Sequence, residues 1–294
     1  MKPLLLLVDG YSLIYRAFFA IRELTGPDGQ PVNAVYGFTK MLRKLLAERR
    51  PTHVAVVLDL GAPQRRLTIL DTYKAQRPPT PPALAQQLPV IRSVLQALRL
   101  PVVAVEGEEA DDIIGTLSIR AARDEAEVLI VSNDKDFLQL VGPRIRLLRP
   151  DSKESVVMDA VAVVAKLGIR PDQIVDYLSL VGDAVDNIPG VPGIGEKTAA
   201  ELLRQYDSVE NLLTCLADVP RPKLREALTI HADRFRANRT LVALHTDLSL
   251  PVTWPELAVQ PADTGQLLVL YRQFGFKTLA AQIEEEATDL FGGR

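Results

Sequence analysis

The stretch LLLLVDG, residues 4–10, decides how the rest of the chain is read. Five apolar residues in a row suit a strand buried on both faces. They are too few for a membrane span or for the apolar centre of a secretory leader, and they run straight into Asp9 and Gly10. Three more runs of the same kind follow: HVAVVL at 53–58, PVVAV at 101–105 and EVLIV at 127–131. Between them lie stretches of helical pattern, NAVYGFTKMLRKLLAERR (33–50), PALAQQLPVIRSVLQALR (82–99) and a third that begins at Asp111. Continuous apolar strands separated by helices predict an α/β fold, a mainly parallel central sheet flanked by helices, to about residue 150.

What stands just past each strand is more telling. LLLLV leads into Asp9, HVAVVL into Asp59, and EVLIV into a segment holding Asp134 and Asp136, while PVVAV is followed closely by Glu109, Asp111 and Asp112. Ligands of open parallel sheets gather outside the carboxyl ends of the strands, so these acids are expected to converge. One acid at a strand end is ordinarily a helix cap or turn former. Seven in one crevice exceed what capping requires. GDAVDN adds Asp183 and Asp186, three apart, which on a helical turn would face one side. Nine clustered carboxylates repel one another and persist only beside cations. Oxygen ligands without histidine or cysteine suit hard ions, Mg²⁺ or Mn²⁺. His53, His231 and His245 lie outside these stretches, and Cys215, the one cysteine, reads as a small buried apolar residue in a reducing compartment.

Charge is consistent with this. The formal net charge of the 294 residues is −3, which on its face disfavours a polyanionic partner, but leaving out the nine acids turns it to +6. Outside the acidic site the protein is basic. Two divalent ions roughly 4 Å apart are a recurrent arrangement for hydrolysing phosphodiesters. A nuclease is the leading class.

GVPGIGEKTA, residues 190–199, mimics a nucleotide-binding loop, yet Glu196 separates Gly195 from Lys197 and no buried strand precedes it. As a helix–turn–helix, Gly190, Gly193 and Gly195 would let backbone amides approach a phosphate, with Lys197 and Thr198 adding a charge and a hydroxyl. A tight interhelical connection explains the glycines equally well. YKAQRPPTPP (73–82) is basic and proline-rich, as expected of a long functional loop.

Taken together, LLLVDGYSLIYRAF, AVYGF, PTHVAVVLD, YKAQRPPTP, VEGEEADDIIGTL, SNDKDFLQLV, LVGDAVDNIPGVPGIGEKTAAELL and FGFKTL resemble the 5′ nuclease (flap endonuclease-like) family, and within it the 5′→3′ exonuclease domains of bacterial DNA polymerase I. The resemblance covers nearly the whole chain. It implies a PIN-like or resolvase-like catalytic region over 1–165, with an arch at about 60–90, and a helical DNA-binding region over 166–294 with its helix–turn–helix at about 183–206. It puts the family's metal-site acids on Asp9, Asp59, Glu109, Asp111, Asp112, Asp134, Asp136, Asp183 and Asp186. Arg16, Lys74 and Arg77 then act on the substrate phosphate, the last two from the arch. It further implies two Mg²⁺ or Mn²⁺ ions and a monovalent cation such as K⁺ at the helix–turn–helix. The expected partner is DNA with 5′ ends, flaps, nicks or branches, handled by a cytoplasmic, nucleoid-associated monomer, alone or with a DNA polymerase in cis or in trans. Two features depart from the pattern, Arg65-Arg66 and Leu70 standing where the family carries aromatics before its arginine and before YK. Adjacent Asp111 and Asp112 cannot aim alike from a regular helix, so their division of labour is left open. The rival readings are a PIN-like ribonuclease and a non-catalytic DNA-binding module.

Overall fold

The computed structural model describes residues 2–151 and 155–292, with side chains as far as residue 286. The strands are β1 (Leu4–Asp9), β2 (His53–Val57), β3 (Val102–Val103), β4 (Glu127–Val131), β5 (Ile145–Arg149), β6 (Val156–Met158), β7 (Gly182–Asp183) and β8 (Ile188–Pro189). The helices are α1 (Gly10–Ala20), α2 (Asn33–Arg49), α3 (Gln64–Ile69), α4 (Pro82–Ala85), α5 (Leu88–Ala97), α6 (Ala110–Arg123), α7 (Ala160–Leu167), α8 (Ile174–Val181), α9 (Glu196–Tyr206), α10 (Val209–Thr214), α11 (Pro222–Ile230), α12 (Ala232–Val242), α13 (Thr264–Gln273) and α14 (Lys277–Gly292). No helix among the described residues is long and apolar enough to cross a membrane. Two compact units divide the chain: Met1–Leu58, Pro79–Val103 and Leu250–Arg294 form one, Asp59–Pro78 and Ala104–Ser249 the other.

In the first unit β1, β2 and β3 run parallel, with Leu5 opposite His53 and Val56 opposite Val102. Leu5, Leu6, Leu7 and Val8 are fully buried, as a strand covered on both faces must be. Asp9 ends β1 and caps α1, its side chain accepting the Ser12 N–H at 3.1 Å. The single helix expected over 82–99 is in fact two, α4 and α5. Pro89, in the first turn of α5, has no N–H to continue a helix from before it. Gln87, between the two helices, instead turns inward and accepts from the Ala34 and Val35 N–H groups at 2.8 and 3.2 Å, satisfying the start of α2.

In the second unit β4 and β5 are parallel and β6 is antiparallel to β5. Helix α6 buries Ile113, Ile114, Leu117 and Ala121. Buried amides tie the later helices together: Asn238 on α12 donates to Ser179 and Pro189 carbonyls at 3.1 and 2.8 Å, and Gln173 to those of Leu203 and Asp207 at 3.0 and 2.7 Å. One local expectation is corrected here. Asp183 and Asp186 do not lie on a helical turn but in the hairpin β7–β8, where Gly182 pairs with Pro189 and Asp183 with Ile188. Gly182 closes helix α8 with φ 79°, a left-handed value that ends the helix and sends the chain into the hairpin.

Candidate active site

Eight of the nine acids singled out in the sequence belong to the second unit, and its folding explains how most of them gather. Glu109 is the N-terminal flanking residue of α6, and Asp111 and Asp112 sit in that helix's first turn. Asp59, which is exposed, accepts the Ala110 N–H at 2.7 Å and so caps the same helix start. Asp134 and Asp136 follow β4, the Asp134 carboxylate accepting the Asp136 N–H at 2.9 Å. Asp183 and Asp186 come from the hairpin, 6% and 8% exposed. Asp9, also buried, and Arg16, on α1, belong to the first unit.

The segment after α3 lies against the hairpin. Lys74 N–H donates to the Asp186 carbonyl at 3.1 Å, Gln76 to the Ala184 carbonyl at 2.6 Å, and Asn187 to the Thr72 carbonyl at 2.8 Å. This docking carries Tyr73, Lys74 and Arg77 among the acids. Tyr73 hydroxyl donates to Asp186 Oδ2 at 2.9 Å, and Arg77 to Asp186 Oδ1 at 2.7 Å. Lys74 pairs with Glu109 and approaches Asp186 at 3.8 Å. Lys135 pairs with Asp183 at 3.2 Å. Burial alone would push the Lys74 ammonium down, but the charges of Glu109, Asp186 and Asp111 outweigh it and raise it. Burial, with the charges of Glu109 and Asp186, raises the Tyr73 hydroxyl too, so it is a donor at neutral pH.

Arg66, on α3, is a residue that sequence reasoning noted but gave no role. It is 5% exposed, and its guanidinium bonds to Glu109 and, through both terminal nitrogens, to Asp112, at 2.6 and 2.9 Å. Burial works against its charge, but the hydrogen bond to Asp112 and the charges of Glu109 and Asp112 more than offset it. The pair Arg65-Arg66 was visible as two cations in a basic stretch. No local signal says that the second of them turns inward, because its partners lie 43 and 46 residues away.

The acids are therefore brought together differently from expectation. Among the described residues no group of three or more His, Cys, Asp or Glu is gathered closely enough to hold a metal ion. The protein's own cations Arg66, Lys74, Arg77 and Lys135 pair with Glu109, Asp112, Asp186 and Asp183 of the set. The compensation is uneven, however. Asp136 Oδ1 is buried without a hydrogen-bond partner. Burial raises Asp134 and Asp136, and the charges of Asp183 and Asp186 raise both further. The donor chemistry of these acids, oxygen-only and without histidine or cysteine, is that of a hard divalent cation, although the carboxylates do not form a coordinating group in this arrangement. Glu109 and Asp112 are both paired with Arg66, and Glu109 with Lys74 as well.

The glycine-rich turn is a separate feature of the same unit. Gly190 is required by packing, since an added Cβ would lie 2.0 Å from the Val181 carbonyl oxygen. This departs from the expectation that all three glycines admit a phosphate. Gly193 has φ 82° and open space around it. Gly195, φ −96°, needs neither a glycine backbone nor room within the chain, and it begins α9 without a side-chain cap. The first amides of α9 thus lack a side-chain partner, with exposed Lys197 and half-buried Thr198 beside them.

Comparison with known proteins bears on all of this. Residues 4–168 match the family model described as 5′-3′ exonuclease, N-terminal resolvase-like domain, and residues 169–265 match 5′-3′ exonuclease, C-terminal SAM fold. The chain is 38% identical to a 5′-3′ exonuclease of Aquifex aeolicus, covering 97% of this chain and 96% of that one. It is 41% identical to DNA polymerase I of Bacillus caldotenax over 98% of its own length. It spans about one third, 33%, of that polymerase. Among solved structures, the bacteriophage T5 D15 flap endonuclease, in a pseudo-enzyme–product complex with DNA and metal ions, aligns with a TM-score of 0.68 at 20% identity, covering 96% of this chain and 98% of that one. At that identity the likeness speaks for the fold.

Proposed function

Since the chain belongs to the 5′-3′ exonuclease family, we propose that it is a metal-dependent 5′→3′ exonuclease and structure-specific 5′-flap endonuclease that hydrolyses DNA phosphodiesters in replication and repair. The observation that carries the reading is the set of strand-end and hairpin carboxylates Asp134, Asp136, Asp183 and Asp186, in which one buried oxygen of Asp136 has no hydrogen-bond partner, with the half-buried cation Lys74 reaching Asp186. In this reading those four acids hold one Mg²⁺ or Mn²⁺, and Asp59, Glu109 and Asp111 serve a second. Such ions, when bound, supply Lewis acidity to the phosphate and lower the pKa of water.

The protein's own groups do the rest. Lys74 and Arg77 exchange carboxylates for the substrate phosphate and stabilise the negative charge that grows on it during cleavage. Tyr73, a donor to Asp186, keeps that carboxylate turned inward while the cations move. Gly193, Gly195 and the first amides of α9, with Lys197 and Thr198, grip a phosphate of the duplex irrespective of sequence. The working protein is a cytoplasmic, nucleoid-associated monomer, with or without a polymerase attached.

A 5′-labelled flap duplex, offered with and without Mg²⁺ and alongside an all-RNA counterpart, tests the proposal. Mg²⁺-dependent release of the DNA flap is the expected outcome. Cleavage confined to RNA would favour the PIN-like ribonuclease, and DNA binding without cleavage would favour a non-catalytic module.

A further inference from the structure

Arg66 has its donors fully engaged. Nε donates to the Leu241 carbonyl at 2.9 Å, one terminal nitrogen bonds to Glu109 and to Asp112 Oδ2, and the other to Asp112 Oδ1 at 2.9 Å and the Ala243 carbonyl at 3.4 Å. A guanidinium has five N–H groups, and five acceptors surround this one. It has none left for a substrate phosphate. Asp112, 1% exposed, is equally committed: besides the fork from Arg66 it accepts the His245 N–H at 2.9 Å. One turn along α6, Thr116 donates to the His245 carbonyl and accepts the Leu248 N–H, both at 3.3 Å. Gln139 closes the remaining gap, donating to the Val242 carbonyl at 3.0 Å and accepting the Leu244 N–H at 2.9 Å.

We infer that Arg66 is a positioning residue, an internal counter-ion that fixes Glu109 at the start of α6 by bracing it against the 241–245 segment, and that Asp112 serves Arg66 instead of a divalent ion. The inference rests on the nuclease reading above and assigns within it a part to each of two residues. Geometry favours it over direct ligation. A carboxylate holding a bidentate arginine and a backbone amide has three of its roughly four acceptor positions taken and its charge already met by the guanidinium, which leaves little for an ion. Glu109, by contrast, receives a single Arg66 nitrogen and the Lys74 ammonium, the latter being the cation able to leave. The brace also suits arginine alone. Lysine would keep the charge but not the fork that meets Asp112 and two carbonyls at once.

The test compares Asp112→Asn, Arg66→Lys and the double variant in the full chain. Three quantities are read: Mg²⁺ affinity by calorimetry without DNA, Tm in EDTA, and kcat and KM on a 5′-flap duplex. Asp112→Asn is expected to bind Mg²⁺ within about threefold of wild type, to melt several degrees lower in EDTA, and to lose kcat by about tenfold or more with KM little changed. Arg66→Lys should show the same split, and the double variant should be no slower than Arg66→Lys, because both act through one contact. If Arg66→Lys fails to fold, the isosteric Asp112→Asn carries the test alone. An Asp112→Asn loss of Mg²⁺ affinity as large as that of Asp183→Asn would make Asp112 a ligand and overturn the inference. Unchanged kcat in both single variants would reduce the brace to architecture, and multiplying effects would separate the two residues. Failure of the nuclease reading itself looks different: a wild-type chain that binds no Mg²⁺ and cuts no flap.

Discussion

Lys74 stands in left-handed backbone, φ 55°, with its half-buried side chain reaching Glu109 and Asp186. A non-glycine residue held there is strained by about 1 kcal/mol or more and persists only when its surroundings over-determine it. Here the surroundings are the hairpin hydrogen bond and two carboxylates. Lys74→Ala is therefore expected to lower kcat by about a hundredfold or more while KM stays within a few-fold, because charge on the phosphate grows toward the transition state. Steady-state kinetics on a flap duplex check this; a pure KM effect would make Lys74 an ordinary binding contact. Asp136 presents the opposite imbalance, a half-buried carboxylate with one buried, unpartnered oxygen that feels the charges of Asp134, Asp186 and Asp183. Asp136→Asn removes the repulsion and keeps the shape. Melts in EDTA should shift upward, by about 2–4 °C for each kcal/mol relieved, while Mg²⁺-dependent cleavage is lost. A lower Tm would mean that the charge is compensated by contacts other than those described.

At the scale of elements, the turn 190–195 separates what glycine does for the fold from what it does for a ligand. Gly190→Ala drives a methyl into the Val181 carbonyl, 2.0 Å from the ideal Cβ, and should destabilise the chain by about 1–3 kcal/mol. Gly195→Ala meets nothing and adopts φ −96° without strain, so its Tm should match wild type. Its duplex affinity should nevertheless fall if a phosphate packs against the α9 amides. Lys197→Ala should weaken binding uniformly across sequences and reduce the salt slope of log K by about one. Equal duplex affinity in wild type, Gly195→Ala and Lys197→Ala over a salt titration would remove this turn from the DNA contact.

For the whole molecule, a net charge of −3 that becomes +6 without nine acids means that binding of divalent ions and binding of DNA are electrostatically linked. Arg66, Lys74, Arg77 and Lys135 pair with acids of this set. Mg²⁺ at a hundredfold its Kd should raise stability by about 2.7 kcal/mol per site, and calorimetric scans at matched ionic strength measure this. The same Mg²⁺ in Asp183→Asn should produce a much smaller rise. Equal shifts in the two proteins would mean that the ion binds elsewhere.

The sequence by itself determined the α/β class, the parallel strands at β1, β2 and β4, and which acids follow them, because a strand buried on both faces must be a short apolar run and its end is marked by the first polar residue. The resemblance that YKAQR carries singled out Lys74 and Arg77, which pair with Glu109 and Asp186. Tertiary structure decided the rest. Pro89 and Gln87 split one expected helix into two, and Gly182 turned Asp183 and Asp186 into a hairpin. Arg66 became the buried counter-ion of Asp112 and Glu109, and Gly190 proved to be a packing glycine. Each of these depends on a partner distant in the chain or on a clash in three dimensions. Local patterns report which face of a segment is apolar; they do not report which charge, 46 residues away, will be folded against it.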